Sequence, residues 1–357
     1  MVVVPEFLNS FLLIPGLSGS VKLILVLLFP LGHAAGAEGL ADSLRRGQDT
    51  AYIQSYSDKL IVKLDLDNDV IRFKLTGDGF RYDIRPNLGP NRILSLNYRW
   101  AYVGVSYLPE FVTGNKWDER RGETSGFGLG GGITSPRFLF DIQYGQVRGF
   151  YLHNTADYVP GWDPDSDPYI QFPELKLWMI RGAAYYKANP NFSLRAIQSQ
   201  TEAQRKSAAS LLPGLAYNYY VIDNYSTAGP SSQRSDNLLL IAQLNYYATR
   251  VLHRRWYATL GAGGGAGINH IWLLTRQPAG DVESTQTNGV VRGFLNAGLG
   301  YNGTRFIAGA EVLHHQSFTR QQDVVDMVLT RTAYQVFVGY RFTAPVFLKK
   351  SFDKVGL

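Results

Sequence analysis

The chain has 357 residues, 45% hydrophobic, 18% charged and 13% aromatic, with no cysteine, so it is too apolar to be disordered and too long to be a small stapled scaffold. The missing cysteine removes disulfides, thiolate metal sites, cysteine nucleophiles and a lipidated N-terminal cysteine together. Lys and Arg number 35 against 29 Asp and Glu, yet the arginines recur singly inside apolar segments and form no basic patch for nucleic acid.

At the N-terminus, Lys22 precedes the apolar run from Leu23 to Gly32, and Ala35-Gly36-Ala37 places small residues where a signal peptidase reads. The expectation is an export signal over residues 1–37, cleaved after Ala37. The run is about ten residues, far short of the roughly 20 a spanning helix needs. Residues 1–20 are unusual for a signal, which suggests Val21 as the translation start. Residues 38–90 read as an extended segment holding a hairpin, 59–66 and 70–76, around Asp67-Asn68-Asp69.

From Asn91 onward the chain breaks into segments of period-two alternation separated by Gly, Pro, Asn and Asp. They are 91–100, 102–112, 124–134, 137–150, 171–186, 191–201, 207–222, 236–250, 255–274, 288–301, 304–318 and 331–342. In the last, Thr332, Tyr334, Val336, Val338, Tyr340 and Phe342 share one face, while Arg331, Ala333, Gln335, Phe337, Gly339 and Arg341 share the other. Segment 288–301 sets Val291, Leu295 and Leu299 against Arg292 and Asn296. Segment 304–318 sets Phe306, Val312 and Phe318 against Arg305, Glu311, His315 and Ser317.

Alternation alone fits a soluble sandwich as well as a membrane barrel, but length separates them. Soluble strands are usually about 5 to 6 residues, whereas a tilted strand needs about 9 to 11 to cross a bilayer. The predicted fold is therefore all-β, a transmembrane antiparallel β-barrel of about 12 strands, or up to about 14 if residues 59–76 join it. It spans 91–342, with a periplasmic tail at 343–357. A secreted carbohydrate-binding sandwich is the soluble alternative.

Several stretches resemble an uncharacterised family of outer-membrane barrels from Bacteroidetes, domain of unknown function 4421. They are YIQSYSDKLIVKLDLD (52–67), YDIRPN with LSLNYRW (82–100), GFYLHN (149–154), NFSLRAIQSQTEAQRKSAASLLPG (191–214) and VGYRFTAP (338–345). The 191–214 block is the most specific, with Ala209 standing where Gly is usual. The resemblance implies an outer-membrane barrel and a Bacteroidetes-type host, and brings no activity or site with it.

The run Gly261 to Gly267 superficially matches a dinucleotide loop, but Trp256, Ala258, Leu260, Ala262 and Ile268 continue one strand face through it, so it reads as a lumen-side glycine row. His315 and Ser317 are a sharper motif. Outer-membrane phospholipases and lipid A deacylases use a His-x-Ser pair on one strand, and alternation puts these two side chains together with Glu311. Here the strand phase turns them inward, and Phe318 stands where those enzymes carry Asn. His253, His270 and His314 lack partners at metal-ligand spacing. Asp163, Asp165 and Asp167 lack the Gly and distal Glu of a calcium loop and read as a solvated turn stiffened by Pro160, Pro164 and Pro168.

The expectation is an integral barrel without catalytic activity, either a narrow pore or a structural and docking component, with no cofactor and no metal. The alternative is a lipid or lipopolysaccharide hydrolase using His315, Ser317 and Glu311. Arg292, Asn296, Arg305, Glu311, His315, Ser317, Arg331, Gln335 and Arg341 are the expected lumen lining, their charges paired across the wall. Gln200, Glu202, Gln204, Arg205 and Lys206 form an expected periplasmic docking hairpin, together with the acidic loop 151–170; the alternative is that the strand count between Gln171 and Ile222 is off by one, since a long loop on the periplasmic side breaks the usual rule. The expected partners are outer-membrane lipid and lipopolysaccharide and a periplasmic or surface protein, with no nucleic acid.

Overall fold

The structure is a computed structural model that describes residues 50–89, 91–107, 118–225, 232–321 and 325–355; the expected export segment 1–37 lies outside the described residues. In chain order the elements are β1 (Ile53–Ser55), β2 (Lys59–Gly77), β3 (Phe80–Arg85), β4 (Asn91–Tyr98), β5 (Ala101–Tyr107), the single turn α1 (Asp118–Arg121), β6 (Ser125–Thr134), β7 (Phe138–Leu152), β8 (Gln171–Tyr186), β9 (Glu202–Gln204), β10 (Ala208–Asn224), β11 (Ser232–His253), β12 (Trp256–Arg276), β13 (Val282–Asn302), β14 (Phe306–Gln321), β15 (Val325–Thr343) and α2 (Val346–Val355).

Twelve strands close an antiparallel wall in the order β2-β4-β5-β6-β7-β8-β10-β11-β12-β13-β14-β15, and β15 pairs back onto β2 from Thr343 opposite Lys59 to Asp326 opposite Thr76. Closure leaves no sheet edge, which is what backbone polar groups require in hydrocarbon. The outward face is the one alternation selects. Leu295 is 59% exposed and Val336 52%, while their neighbours Asn296 and Ala333 are buried inside. Aromatic pairs, Phe138 with Tyr186, Trp256 with Tyr301 and Phe306 with Tyr340, ring the end of the wall that carries tight turns. A belt of this kind is covered by lipid, and the molecule is a transmembrane barrel.

The strand number matches expectation through two compensating differences. Residues 59–76 are not a hairpin: β2 runs unbroken through Asp67-Asn68-Asp69 and is a wall strand, so the barrel begins at Lys59 and not at Asn91. Residues 191–201 are not a strand: they form irregular backbone between β8 and β10. The expected tail contains α2, whose Phe352 packs on Tyr98 and Trp100 and whose Asp353 pairs with Arg99 at 2.7 Å.

The wall is not uniform. Strands β4, β5 and β6 have 8, 7 and 10 residues, whereas β11 has 22. Beyond their reach, Phe73 to Gly77 of β2 pair with β3, and Ile84 and Arg85 of β3 pair with Leu152 and Tyr151 of β7. One strand thus replaces three, and the barrel narrows from twelve strands at the tight-turn end to ten at the loop end. Diameter follows strand number, so the ten-stranded end can be filled by side chains. The glycine row works the same way. A Cβ on Gly261 would sit 2.8 Å from the Tyr247 ring and one on Gly263 2.1 Å from Asn245 Oδ1, so inward side chains of β11 occupy the space that β12 vacates.

Candidate functional site

The lumen has three layers. At the loop end, inward side chains of β2, β7, β8, β10, β11 and β15 meet in an apolar core that includes Phe73, Phe150, Leu177, Tyr220, Ile241 and Met327. This is the ordinary hydrophobic effect acting inside a barrel, and it fills the narrowed section.

The tight-turn end is closed by chain. Residues 187–207, between β8 and β10, fold into the lumen, with Phe192 and Gln200 fully buried. Phe192, Leu194 and Ile197 pack on Leu139 and Leu212 of the inner wall. Polar contacts fix the rest. Arg341 donates to the carbonyl of Gln200 at 2.6 Å, to the Gly303 carbonyl and to Asn302 Oδ1, and its guanidinium lies 3.9 Å from the Tyr56 ring centroid. Asn302 Nδ2 donates to Glu202 O at 2.9 Å, and Lys63 Nζ to Gln198 O at 3.2 Å. Within the segment, Glu202 receives Ser193 Oγ at 2.5 Å and pairs with Arg195 at 3.1 Å. β9 adds a short ladder to β1, Ile53 opposite Gln204. Lys187, at the segment's start, donates to Phe192 O; burial pushes its ammonium down to about 8 against the opposing pull of Glu202.

Between the two seals lies a polar chamber in two adjoining lobes, of about 420 and 270 Å³, which share Gln143, Arg181, Gln198 and Arg331 as lining. The larger lobe is floored by Gly104, Gly126, Gly128 and Gly130 and faced by Lys63, Asp65 and Gln335. The smaller holds Asp141, Arg181, Arg292, His315, Ser317 and Arg331.

Arg292, Asn296, Glu311, His315, Ser317, Arg331, Gln335 and Arg341 lie on the inner side of the wall. Arg305 is a correction: it precedes β14 in the tight turn and is exposed, because the inward phase starts only at Ile307. The described pairings also run along the wall more than across it. Lys63 pairs with Asp65 on the same strand at 3.1 Å, Gln335 donates to Asp65 at 2.5 Å from the adjacent strand, and Asn296 donates to Glu311. Arg292 Nε donates to Ser317 Oγ at 2.9 Å, so the hydroxyl of the His-x-Ser motif is held by a guanidinium from the neighbouring strand. The ring of His315 sits 4.9 Å from that of Phe294.

The expected docking hairpin divides. Gln200, Glu202 and Gln204 are buried in the seal and offer no surface, while Arg205 and Lys206 are exposed, against Gln54 and Tyr52. The acidic loop cannot join them, because with 191–201 not a strand it lies at the opposite end of the barrel. Its carboxylates serve turns: Asp163 accepts from Asp165 N at 2.9 Å and from Ser166 Oγ at 3.1 Å, which holds it below the usual carboxylate range. The inward phase alone would have found Asp141, Arg181, Lys63 and Asp65; the segment's apolar anchors carried no comparable signal.

A closed twelve-stranded transmembrane barrel with a sealed, charged lumen is the class that fold and site define. The chain belongs to the family described as domain of unknown function (DUF4421), which matches residues 47–342. None of the curated proteins matches it in sequence. Among solved structures it is similar to the P. putida toluene transporter TodX, 9% identical over 84% of this chain and 95% of that one, with TM-score 0.30. It is also similar to the translocator domain of autotransporter NalP from Neisseria meningitidis, 11% identical over 85% and 93%, with TM-score 0.33. A Pseudomonas aeruginosa FadL homologue is 10% identical over 85% and 96%, with TM-score 0.26. Likeness of this depth says nothing about activity.

Proposed function

We propose that this protein is a non-enzymatic barrel of the bacterial outer membrane, exported through its N-terminal segment and held shut at rest, whose residues 187–207 are the gate of a narrow pathway for small polar solutes. The tight-turn end faces the periplasm in this reading, since short turns belong there and long loops outside. Outer-membrane lipid and lipopolysaccharide then cover the outward belt, and a periplasmic protein that reaches Arg205 and Lys206 is the partner able to unseat the segment.

The charged chamber between the seals carries the reading. Removing an ion from water costs several kcal/mol even when it is paired. A barrel that only had to be filled is served by apolar side chains, as its own loop-end core illustrates. Lys63, Asp65, Asp141, Arg181, Arg292 and Arg331 around open space instead suit a pathway that a polar solute shares. Against hydrolysis stands the position of Ser317, behind the wall from the acyl chains and bonded to Arg292.

Planar-bilayer recording tests this. The intact protein should be silent, and a variant with residues 191–204 replaced by a Gly-Ser linker and the loop-end core opened by Phe73→Ala and Phe150→Ala should conduct. A variant opened at both ends that folds and stays silent removes the pathway and leaves a structural barrel. Altered outer-membrane lipid in a deletion strain would return weight to the hydrolase.

A further inference from the structure

We infer that α2 is a membrane-surface anchor: it lies on the outside of the barrel at the tight-turn rim, seats Val346 and Phe347 at the acyl boundary, and holds the phosphates of anionic phospholipid with Lys350 and Lys354. Phospholipid, as against lipopolysaccharide of the outer leaflet, rests on the periplasmic placement of the tight-turn end proposed above.

The phase of β4 puts the helix outside the wall. Leu94 and Leu96 point outward, and Leu96 is 45% exposed, yet Tyr98, next on the same face, is only 4% exposed. Phe352 of α2 covers it, with ring centroids 4.8 Å from Tyr98 and 4.9 Å from Trp100. Phe342 of β15 stands opposite Leu60 of β2, and Leu60 opposite Tyr98 of β4, so three outward side chains make a row along the rim. The chain leaves β15 at Thr343, and α2 carries it to the Tyr98 end of that row. The lipid-covered belt therefore continues onto the helix. Spacings of three and four divide α2 into two stripes. Leu348 and Phe352 are half-buried on one, while Val346, Phe347, Lys350 and Lys354 are exposed on the other, Phe347 to 71%. Apolar and cationic side chains sharing one exposed stripe match a headgroup layer, where the ring reaches the acyl boundary and the lysine stems run along it to the phosphates. The one acid of the helix, Asp353, pairs with Arg99 at 2.7 Å, which pins α2 to the β4–β5 turn and leaves its exposed lysines to anions outside the protein.

Val346→Cys in this cysteine-free chain, labelled with bimane, reads the seat in the full-length protein folded into phosphatidylcholine vesicles with and without phosphatidylglycerol. A phospholipid spin-labelled near its headgroup is the quencher, and bimane at Ser166→Cys, on the exposed acidic loop, is the reference. With phosphatidylglycerol present, quenching at 346 should exceed that at 166 by about threefold or more. Lys350→Glu with Lys354→Glu should lose most of that excess, as should vesicles without phosphatidylglycerol, whereas Lys350→Arg with Lys354→Arg should keep it. Heat-modifiable migration on gels checks that each variant is folded. Quenching at 346 no greater than at 166 would overturn the anchor. An excess that ignores both lipid charge and the Glu pair would overturn phosphate recognition by the lysines, and an environment at 346 that turns aqueous as the protein is diluted with lipid would assign the stripe to a second copy of the chain. Both leaflets of the vesicle carry the same lipid, so the result is independent of sidedness in the cell. Cysteine labelling at Ser166 and Arg254 in intact cells decides that separately, and an inverted barrel would overturn phospholipid as the source while leaving the seat in place.

Discussion

Arg341, near the end of β15, donates a hydrogen bond of 2.6 Å to the carbonyl of Gln200, 141 positions away in the chain. The same guanidinium bonds Gly303 O and Asn302 Oδ1 and faces Tyr56, so one side chain ties the inserted segment, the β13–β14 turn and the β1–β2 connection into one seal. Arg341→Ala leaves buried acceptors unpaired, and the expected cost is on the order of 3 kcal/mol. The loss should fall on the segment first. Limited proteolysis of detergent-solubilised protein should cut between residues 191 and 204 in the variant while the wall stays intact.

Outward and inward faces should respond differently to charge. Leu295→Arg puts a cation against lipid and should destabilise by about 2 to 4 kcal/mol near the midplane. Ser106→Arg points into the larger lobe and should cost much less. Urea unfolding midpoints in vesicles report both, and equal losses would mean the strand phase is wrong.

Gly261→Val meets the Tyr247 ring, and Gly267→Ala meets a backbone carbonyl that cannot swing aside. Each should cost about 1 to 3 kcal/mol by overpacking. Gly289→Ala is the control, because a Cβ there meets nothing within 4 Å; its melting temperature should stay at the wild-type value.

The wall was legible because burial on one side forces period two, and eleven of the expected segments are strands. The two misreadings have one physical cause, the polar interior. Asp65 and Asp67 look like turn chemistry, but both are inward residues of a continuous strand, and Asp65 has Lys63 and Gln335 as partners in the lumen. Conversely Phe192 and Leu194 alternate like a strand, yet they are buried by entering the barrel and not by forming its wall. Arg341 was readable as a lumen group from phase alone; what it holds, the Gln200 carbonyl, depends on a tertiary insertion that no local pattern encodes.

Sidedness follows from the corrected strand order. The acidic loop shares its end with the junctions after Asn224 and Arg276, opposite the turn at Arg254. In this cysteine-free chain, Ser166→Cys should label with an impermeant maleimide in intact cells and Arg254→Cys should not. Protection at 166 with labelling at 254 would invert the barrel.

Lys187 makes the seal pH-dependent. Its folded value of about 8 lies below the ordinary 10.5, so the unfolded chain binds the extra proton. Stability should therefore rise as pH increases from about 8 to about 10.5, by about 3 kcal/mol, and flatten on either side. Urea midpoints of the wild type, measured against Lys187→Met to subtract other groups, should show that rise. Parallel curves would remove Lys187 as its source.

Amide hydrogen exchange across residues 192–204, in the protein folded in lipid, reads the sealed lumen most directly. Outside the short β9 ladder, its amides bond to local groups such as Leu194 O, Ser193 Oγ and Gln204 Oε1, and bonds this local protect as strongly as a wall strand only when they are buried inside the barrel. Exchange as slow as in β11 and β12 is the result expected. Exchange as fast as at the exposed turn of Arg254 and Arg255 would mean that the segment lies outside the wall and the lumen is open at that end.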